Sequence, residues 1–185
     1  MRAYELSELD LVLRTVNGST TTVATLGGYQ AFGPSRYMSY GNGLWRSRNF
    51  DTDMRLAGIS TNGSAGPLQS LTYGFDAADR ITAITNGVDA GLTQQYQYDG
   101  ASRLTNASLA GGNVASFGYD AVGNRVSAGN TSPSSSTGYS YQAGSNRLLQ
   151  SVTGGVTRSY TTNATGEITA FISGAGIANT LAYCS

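Results

Sequence analysis

The tract Tyr96-Gln97-Tyr98-Asp99, closed by Arg103-Leu104, is repeated up and down this chain, and that repetition restricts its fold more than any other feature. Tyr73-Gly74-Phe75-Asp76 with Arg80-Ile81 lies before it. Phe117-Gly118-Tyr119-Asp120 with Arg125-Val126, and Tyr139-Ser140-Tyr141 with Arg147-Leu148, lie after it. Asn49-Phe50-Asp51 with Arg55-Leu56 extends the series upstream, and Tyr160-Thr161-Thr162-Asn163 with Gly166-Glu167-Ile168 extends it downstream in altered form. The anchors Arg55, Arg80, Arg103, Arg125, Arg147 and Glu167 are 25, 23, 22, 22 and 20 residues apart. A period of about 20 to 50 residues marks an array whose single unit is too small to fold alone.

Each unit has a physical reading. Side chains two apart on a strand point to one face, so an aromatic-x-aromatic pair lays two rings on the same surface. The Asp that follows ends the strand, because its carboxylate can accept from the backbone two residues on. Gly100, Gly123, Gly144 and Gly166 supply turn chemistry, and the Arg opens the return strand, as in Arg80-Ile81-Thr82-Ala83-Ile84-Thr85. A second turn is expected at Asn62-Gly63, Asn86-Gly87, Gly111-Gly112, Gly129-Asn130 and Gly154-Gly155, since such pairs between alternating strands are strong hairpin signals. The expected fold is all-β: an antiparallel meander of repeats forming a curved or spiralling sheet. Helix should fall below about a tenth of the chain, confined to the first dozen residues.

Composition narrows the function. Gly is 25 of 185 residues and charged residues are 12%, which suits a turn-rich β-protein. The net charge of zero argues against a nucleic-acid partner, because the basic residues are parcelled out one per repeat rather than clustered. All eleven basic residues are Arg, whose planar fork suits pairing with the repeat carboxylates. The absence of His removes Ser-His-Asp and Cys-His arrangements and the commonest zinc ligand. The absence of Lys removes a P-loop and a Schiff-base lysine. No metal site and no cofactor is expected. Cys184 is the one cysteine and has no intrachain partner. The acidic start through Asp10 lacks the apolar core of a signal peptide, and no apolar run is long enough to enter a membrane.

Three regions follow: an irregular or helical start over residues 1–11, a repeat array of about six units over 12–172, and an uncapped tail over 173–185. Leu11-Val12-Leu13 leads to a turn at Asn17-Gly18, and Pro34, lacking a backbone donor, marks a strand end or edge. The low-complexity tract Thr131-Ser132-Pro133-Ser134-Ser135-Ser136-Thr137 reads as an exposed loop at a hairpin tip.

These tracts resemble the RHS/YD-repeat family, whose unit runs approximately Tyr-Asp-x-x-Gly-Asn-Arg-Leu. The matching residues are Tyr98-Asp99 with Arg103-Leu104, Tyr119-Asp120-Ala121-Val122-Gly123-Asn124-Arg125-Val126, and the Phe forms at Phe50 and Phe75. Phe32-Gly33-Pro34 with Tyr40-Gly41-Asn42-Gly43-Leu44 is similar to segments between repeats in bacterial members. The resemblance covers roughly Val12 to Ile172. It implies a spiralling sheet that closes into a hollow shell in large secreted or surface proteins, including polymorphic toxins, insecticidal toxin complexes and teneurins. The chain departs from the family in being far shorter than a shell and in lacking the C-terminal segment with Pro and Asp at which bacterial members cleave themselves. It is therefore read as a truncated fragment, with further shell repeats or a C-terminal toxin domain as absent partners.

Asp51, Asp76, Asp99 and Asp120 have the chemistry of glycosidase acids, but catalysis needs one differentiated pair, and recurrence once per repeat points to turn capping. The chain is read as not an enzyme. Phe50, Asp51, Arg55, Phe75, Asp76, Arg80, Tyr98, Asp99, Arg103, Tyr119, Asp120, Gly123, Arg125, Tyr141 and Arg147 form the structural repeat motif. The repeat Arg residues are expected to pair with Asp or with backbone carbonyls of the adjacent rung. Asn62-Gly63-Ser64 and Asn106-Ala107-Ser108 fit the glycosylation pattern, although Asn-Gly-Ser is also ordinary turn sequence. The leading expectation is a structural segment of a shell that encloses or displays an effector. The alternative, from a different class, is a surface module that binds glycans on the aromatic ladder Tyr73, Tyr96, Phe117 and Tyr139. Packing between rungs predicts a loss of several kcal/mol for Tyr98→Ala, whereas a binding face predicts unchanged stability and lost glycan retention. Unpaired backbone near Val12 to Val16 and near Phe171 to Tyr183 is expected to drive self-association through exposed edges.

Overall fold

A computed structural model describes residues 10–29, 33–110, 112, 114–131, 133–174 and 178–180. The chain is all-β and antiparallel, in two compact units that meet in sequence at Gln94 and Gln95. The first unit holds β1 (Asp10–Val16), β2 (Ser19–Tyr29), β3 (Ser35–Tyr40), β4 (Trp45–Phe50), β5 (Leu56–Gly63), β6 (Gly66–Phe75) and β7 (Ile81–Asn86). The second holds β8 (Gln94–Tyr98), β9 (Leu104–Leu109), β10 (Val114–Tyr119), β11 (Arg125–Thr131), β12 (Ser134–Tyr141), β13 (Leu148–Thr153), β14 (Val156–Thr162), β15 (Ile168–Ser173) and β16 (Ala178–Thr180). Within each unit the strands lie side by side in chain order, so every connection is a hairpin.

Short loops set this topology. Asn17 and Gly18 have φ of 49° and 79°, and Gly154 and Gly155 have φ of 56° and 80°. Two consecutive positive φ values give the type I′ turn whose twist matches that of paired strands. A β-branched residue is strained there by about 1–2 kcal/mol. Gly155→Val is therefore expected to lower the urea midpoint, whereas the same substitution at Gly138, which has open space around it and no positive φ, should not.

The structure corrects several expectations about the other hairpin tips. Gly63 pairs with Gly66, so the tip is Ser64-Ala65, and Asn62-Gly63 lies inside β5. Gly129 and Asn130 are likewise ladder residues, opposite Ser136 and Ser135. Ser134 to Thr137 of the serine-rich tract are strand rather than loop, since Thr131 pairs with Ser134 and β12 starts there. Cross-strand partners and a tight turn outweigh the loop-like composition. The helix present among the described residues is a single 3₁₀ turn, Ala90–Leu92, after Asn86-Gly87. It forms because the Asp89 carboxylate accepts from Gly91 N at 2.9 Å, far from the first dozen residues where helix was expected. Residues 1–9 and Phe32 lie outside the described residues, as does Gly111 of the expected Gly111-Gly112 turn. Asp10 and Leu11, assigned to the irregular start, belong to β1, and part of the expected tail forms β16 against β15.

Burial is thin. Among the described residues Ala24 is the one buried apolar side chain, and the other buried side chains are Ser35, Thr61 and Ser151. Thr61 Oγ1 accepts from Arg46 Nε at 3.0 Å and donates to Gln69 Oε1 at 3.2 Å. Ser151 Oγ bonds the Tyr160 hydroxyl at 2.9 Å. Among the described residues no large side chain is fully enclosed, whereas a two-layer domain would enclose several. Leu11, Val12, Leu13 and Val16 of β1 are all about half exposed or more, at 57%, 48%, 54% and 48%. Cohesion must therefore come from the ladder and from what the side chains do at each turn.

Candidate functional site

The recurrent structure is a latch at alternate hairpins. In Asp51–Arg55, Asp76–Arg80, Asp99–Arg103 and Asp120–Asn124 the backbone N–H of Asp donates to the carbonyl four residues on, at 2.9–3.0 Å. The residue three after Asp donates back to the Asp carbonyl and takes positive φ: Met54 (64°), Asp79 (61°), Ser102 (62°) and Gly123 (95°). Asp Oδ1 accepts from the N–H two residues on at 2.9–3.0 Å. The same oxygen accepts from the N–H four residues on at 2.8–3.0 Å. Oδ2 is left for the side chain at that fourth position and accepts Nε of Arg55, Arg80 and Arg103 at 2.7 Å each. A short carboxylate on a tight turn thus satisfies donors that the turn itself leaves over.

The guanidinium then reaches into the next repeat. Arg55 donates through Nη1 to the Asp79 carboxylate and lies 4.6 Å over the Phe75 ring. Arg103 donates through Nη1 to the Asp120 carbonyl at 2.7 Å and lies 4.8 Å over Tyr119. Tyr119 completes the link, its hydroxyl donating to the Leu104 carbonyl at 2.9 Å. Tyr141 does the same to the Arg125 carbonyl at 2.8 Å, and Arg147 Nη2 donates to the Ala164 carbonyl at 2.6 Å. The expected pairing of Arg with the adjacent rung is therefore half of the arrangement: Nε holds the Asp of its own turn and the outer nitrogens hold the next turn.

Two anchors stand elsewhere than their spacing suggests. Arg125 is one residue late: Asn124 occupies the latch position, with Nδ2 donating to Asp120 Oδ2 at 2.8 Å. Arg125 instead starts β11 opposite Tyr119, its guanidinium 5.1 Å over Phe117. In the next turn Gln142 replaces Asp and the loop gains a residue, with Gln142 N donating to the Arg147 carbonyl at 2.9 Å. The altered last copy is complete in geometry. Asn163 Oδ1 accepts from Glu167 N at 2.9 Å and Asn163 Nδ2 donates to Glu167 Oε2 at 2.7 Å, so donor and acceptor have changed places.

A second recurrent feature escaped the sequence reading. Phe50 pairs with Leu56 but Asn49 pairs with Gly58, leaving Ala57 over. Thr82, Val126, Leu149 and Thr169 are left over in the same way. Each is a β-bulge, which turns later side chains to the other face and strengthens local twist. Their common signal is a constant place, two residues beyond the latch carbonyl.

Electrostatics follow from this geometry. Partial burial works to raise the Asp51 and Asp120 carboxyls, but donors from Arg55 and from Asn124 outweigh it and hold both below the usual carboxylate range. The Arg80 and Arg103 backbone N–H groups do most to hold Asp76 and Asp99 low, against a similar burial effect. All four carboxylates are thus engaged by donors of their own turns. Among the described residues no cluster of three or more Asp, Glu or Cys is placed to hold a metal ion.

The aromatic candidates are half-buried in strands. Tyr73 stands opposite Ile84, Phe117 opposite Ala128 and Tyr139 opposite Ser151, while Tyr96 lies in β8. Phe50 and Phe75 stand opposite Leu56 and Ile81. Tyr98 lies just before the Asp99 turn. Tyr160 and Phe171 form a ring pair, their centroids 6.3 Å apart at 45°. Phe75, Phe117 and Tyr119 carry guanidinium groups, so those ring faces are already occupied.

Residues 98–133, which contain two of the latches, match the family model described as RHS Repeat. No curated protein matches the chain in sequence. Among solved structures, the crystal structure of TcdB2-TccC3 is similar with a TM-score of 0.65 at 18% identity, covering 86% of this chain and 11% of that one. TcdB2-TccC3-TEV matches with a TM-score of 0.64 at 19% identity, covering 86% and 10%. The Photorhabdus luminescens Tc holotoxin pore matches at 0.63 and 18%, covering 86% and 10%. This chain therefore spans about a tenth of the length of the structures it matches, and at such identity the likeness is one of fold. Residues 98–133 thus match the RHS repeat in sequence, and the chain shares the fold of these toxin-complex structures.

Proposed function

We propose that the chain is a length of wall: a non-catalytic segment of YD-repeat sheet that, in a secreted or surface protein, helps enclose or display a toxin or other effector domain. The observation that carries this reading is the commitment of each repeat Asp to its own turn, with Arg or Asn completing the latch, and the same closure by Asn163 and Glu167 in the last copy. Carboxylates used identically in successive repeats are scaffold, because acid catalysis needs two carboxyls whose environments differ. The likeness to TcdB2-TccC3 supports the same reading, since a sheet with one buried apolar side chain among its described residues is suited to being one stretch of a larger wall. Further repeats or an effector domain are the partners this role requires.

The test is an antibody raised against residues 98–133 and used on fractions of the source organism. The expected result is a polypeptide several times longer than 19.2 kDa in the secreted or surface fraction. A species of 19.2 kDa confined to the cell interior would overturn the proposal.

A further inference from the structure

We propose that Asn17, at the tip of the first hairpin, is a modification site: its side-chain amide converts without an enzyme, through a cyclic imide, to aspartate and isoaspartate. This stands apart from the wall reading. The sequence holds four Asn-Gly pairs, at Asn17, Asn42, Asn62 and Asn86, and a following glycine leaves the attacking backbone nitrogen clear of side-chain bulk. Three of the four are held. Gly43 N donates to the Tyr40 carbonyl at 2.9 Å, while Asn42 Oδ1 accepts from Leu44 N at 3.2 Å. Gly87 N donates to the Ser70 carbonyl at 2.7 Å, and Asn86 Oδ1 accepts from Val88 N and Asp89 N at 3.0 Å each. Asn62 and Gly63 are half-buried ladder residues opposite Pro67 and Gly66. At Asn17 neither reacting group is engaged. The ladder closes on Val16 and Ser19, and neither the Gly18 N–H nor the Asn17 amide bonds a described residue. Both residues are exposed, and a Cβ at Gly18 would meet nothing within 4 Å, so the peptide can swing without a clash.

The chemistry needs water alone as co-reactant. Gly18 N attacks Asn17 Cγ, the side-chain nitrogen leaves as ammonia with the proton of the Gly18 N–H, and the ring closes. Water then adds to one of the two imide carbonyls. Breaking the new bond to Cγ gives aspartate, and breaking the original peptide bond gives isoaspartate, in which the main chain runs through Cβ. The two products differ in what they do to the hairpin. Asp-Gly suits a type I′ tip as Asn-Gly does, so aspartate keeps the turn. Isoaspartate adds a backbone atom to a two-residue tip whose length fixes the register. The next pair inward is Thr15 with Thr20, joined by their hydroxyls at 2.9 Å. Among the described strands β1 pairs with β2 alone, and its apolar side chains are about half exposed. Isoaspartate at this tip therefore loosens β1, and offers an exposed carboxylate of the class that isoaspartate carboxyl methyltransferases esterify.

The intact chain is to be aged in mildly alkaline buffer, cut after arginine, and its peptides weighed by mass spectrometry for conversion of amide to acid. Cleavage places the four pairs on separate peptides, 15–36, 37–46, 56–80 and 81–103, each with a single asparagine. In the folded chain peptide 15–36 is expected to convert about tenfold or more faster than the other three, whose held groups react only when the local structure opens. In concentrated urea, where all four are free, the rates should converge. A labelled methyl group from a sulfonium donor, transferred by an isoaspartate carboxyl methyltransferase, should enter peptide 15–36 of the aged chain. Conversion of that peptide no faster than the others in the folded chain overturns the proposal. A lead that persists undiminished in urea overturns it too, because the hairpin would then not be its cause, as does conversion that leaves no methyl-accepting product.

Discussion

Replacing Tyr119 by alanine is expected to lower the free energy of unfolding by about 2–3 kcal/mol, below the range for a fully enclosed ring. The ring is half-buried, lies 4.8 Å beneath the Arg103 guanidinium, and donates to the Leu104 carbonyl. Truncation removes packing, cation–π contact and hydrogen bond together. Tyr119→Phe removes only the hydroxyl, and a net hydrogen bond of this kind contributes about 1 kcal/mol. Urea unfolding followed by far-UV circular dichroism separates the two. Equal effects would mean that the hydroxyl is the whole contribution, and an alanine variant as stable as the parent would remove the inter-repeat link from the account. The larger loss expected for Tyr98→Ala from sequence assumed burial that this sheet does not provide for any large side chain among its described residues.

Acid should weaken the array through all four Asp latches at once. Asp51, Asp76, Asp99 and Asp120 are held below the usual carboxylate range in the folded chain. The unfolded chain, with ordinary values near about 4, then binds more protons as pH falls through that range. The contribution of a lowered carboxyl is complete above its unfolded pKa and disappears as pH drops through its folded one. The urea midpoint is therefore expected to be level down to about pH 5 and to fall steeply between about pH 4 and 2. Asp99→Asn keeps an oxygen for Ala101 N and Arg103 N but loses the charge, so it should be less stable at neutral pH and flatter in acid. A midpoint that holds steady from neutral pH to about pH 2 would show that the latches do not contribute as charged carboxylates.

The sheet was legible in the sequence because its signals are local. Alternation, aromatic pairs and Asp at the strand end identify the hairpin strands, and glycine pairs at Gly154-Gly155 and Asn17-Gly18 stand at true tips. Errors arose where one pattern has two structural meanings. Asn62-Gly63 and Gly129-Asn130 have turn composition yet lie in ladders, because a tight tip forms just beyond them. Serines 134 to 136 look like an exposed loop yet pair with Thr131 to Gly129, since an inner strand takes its stability from neighbours more than from propensity. Arg125 was aligned by residue type, whereas the carbonyl that receives the Asp120 N–H belongs to Asn124. The bulges at Ala57, Thr82, Val126, Leu149 and Thr169 carry no composition signal, so no single repeat reveals them.

The latch joins a turn to the one that follows it, and both halves of the joint recur with nearly constant spacing. A recombination event that exchanges, deletes or duplicates material between equivalent points of two repeats therefore delivers a donor and an acceptor to the new junction. Arg103 requires only a turn carbonyl from its successor, which any repeat provides, whatever its side chains. Genes built on this joint can change length by whole repeats without a compensating mutation elsewhere, because the described residues hold no enclosed core that has to be refilled. Repeats that lose Arg, as at Asn124, or exchange donor and acceptor, as at Asn163 and Glu167, still close their own turns. Such positions are where a repeat can change its side chains while the neighbouring latches keep the sheet intact.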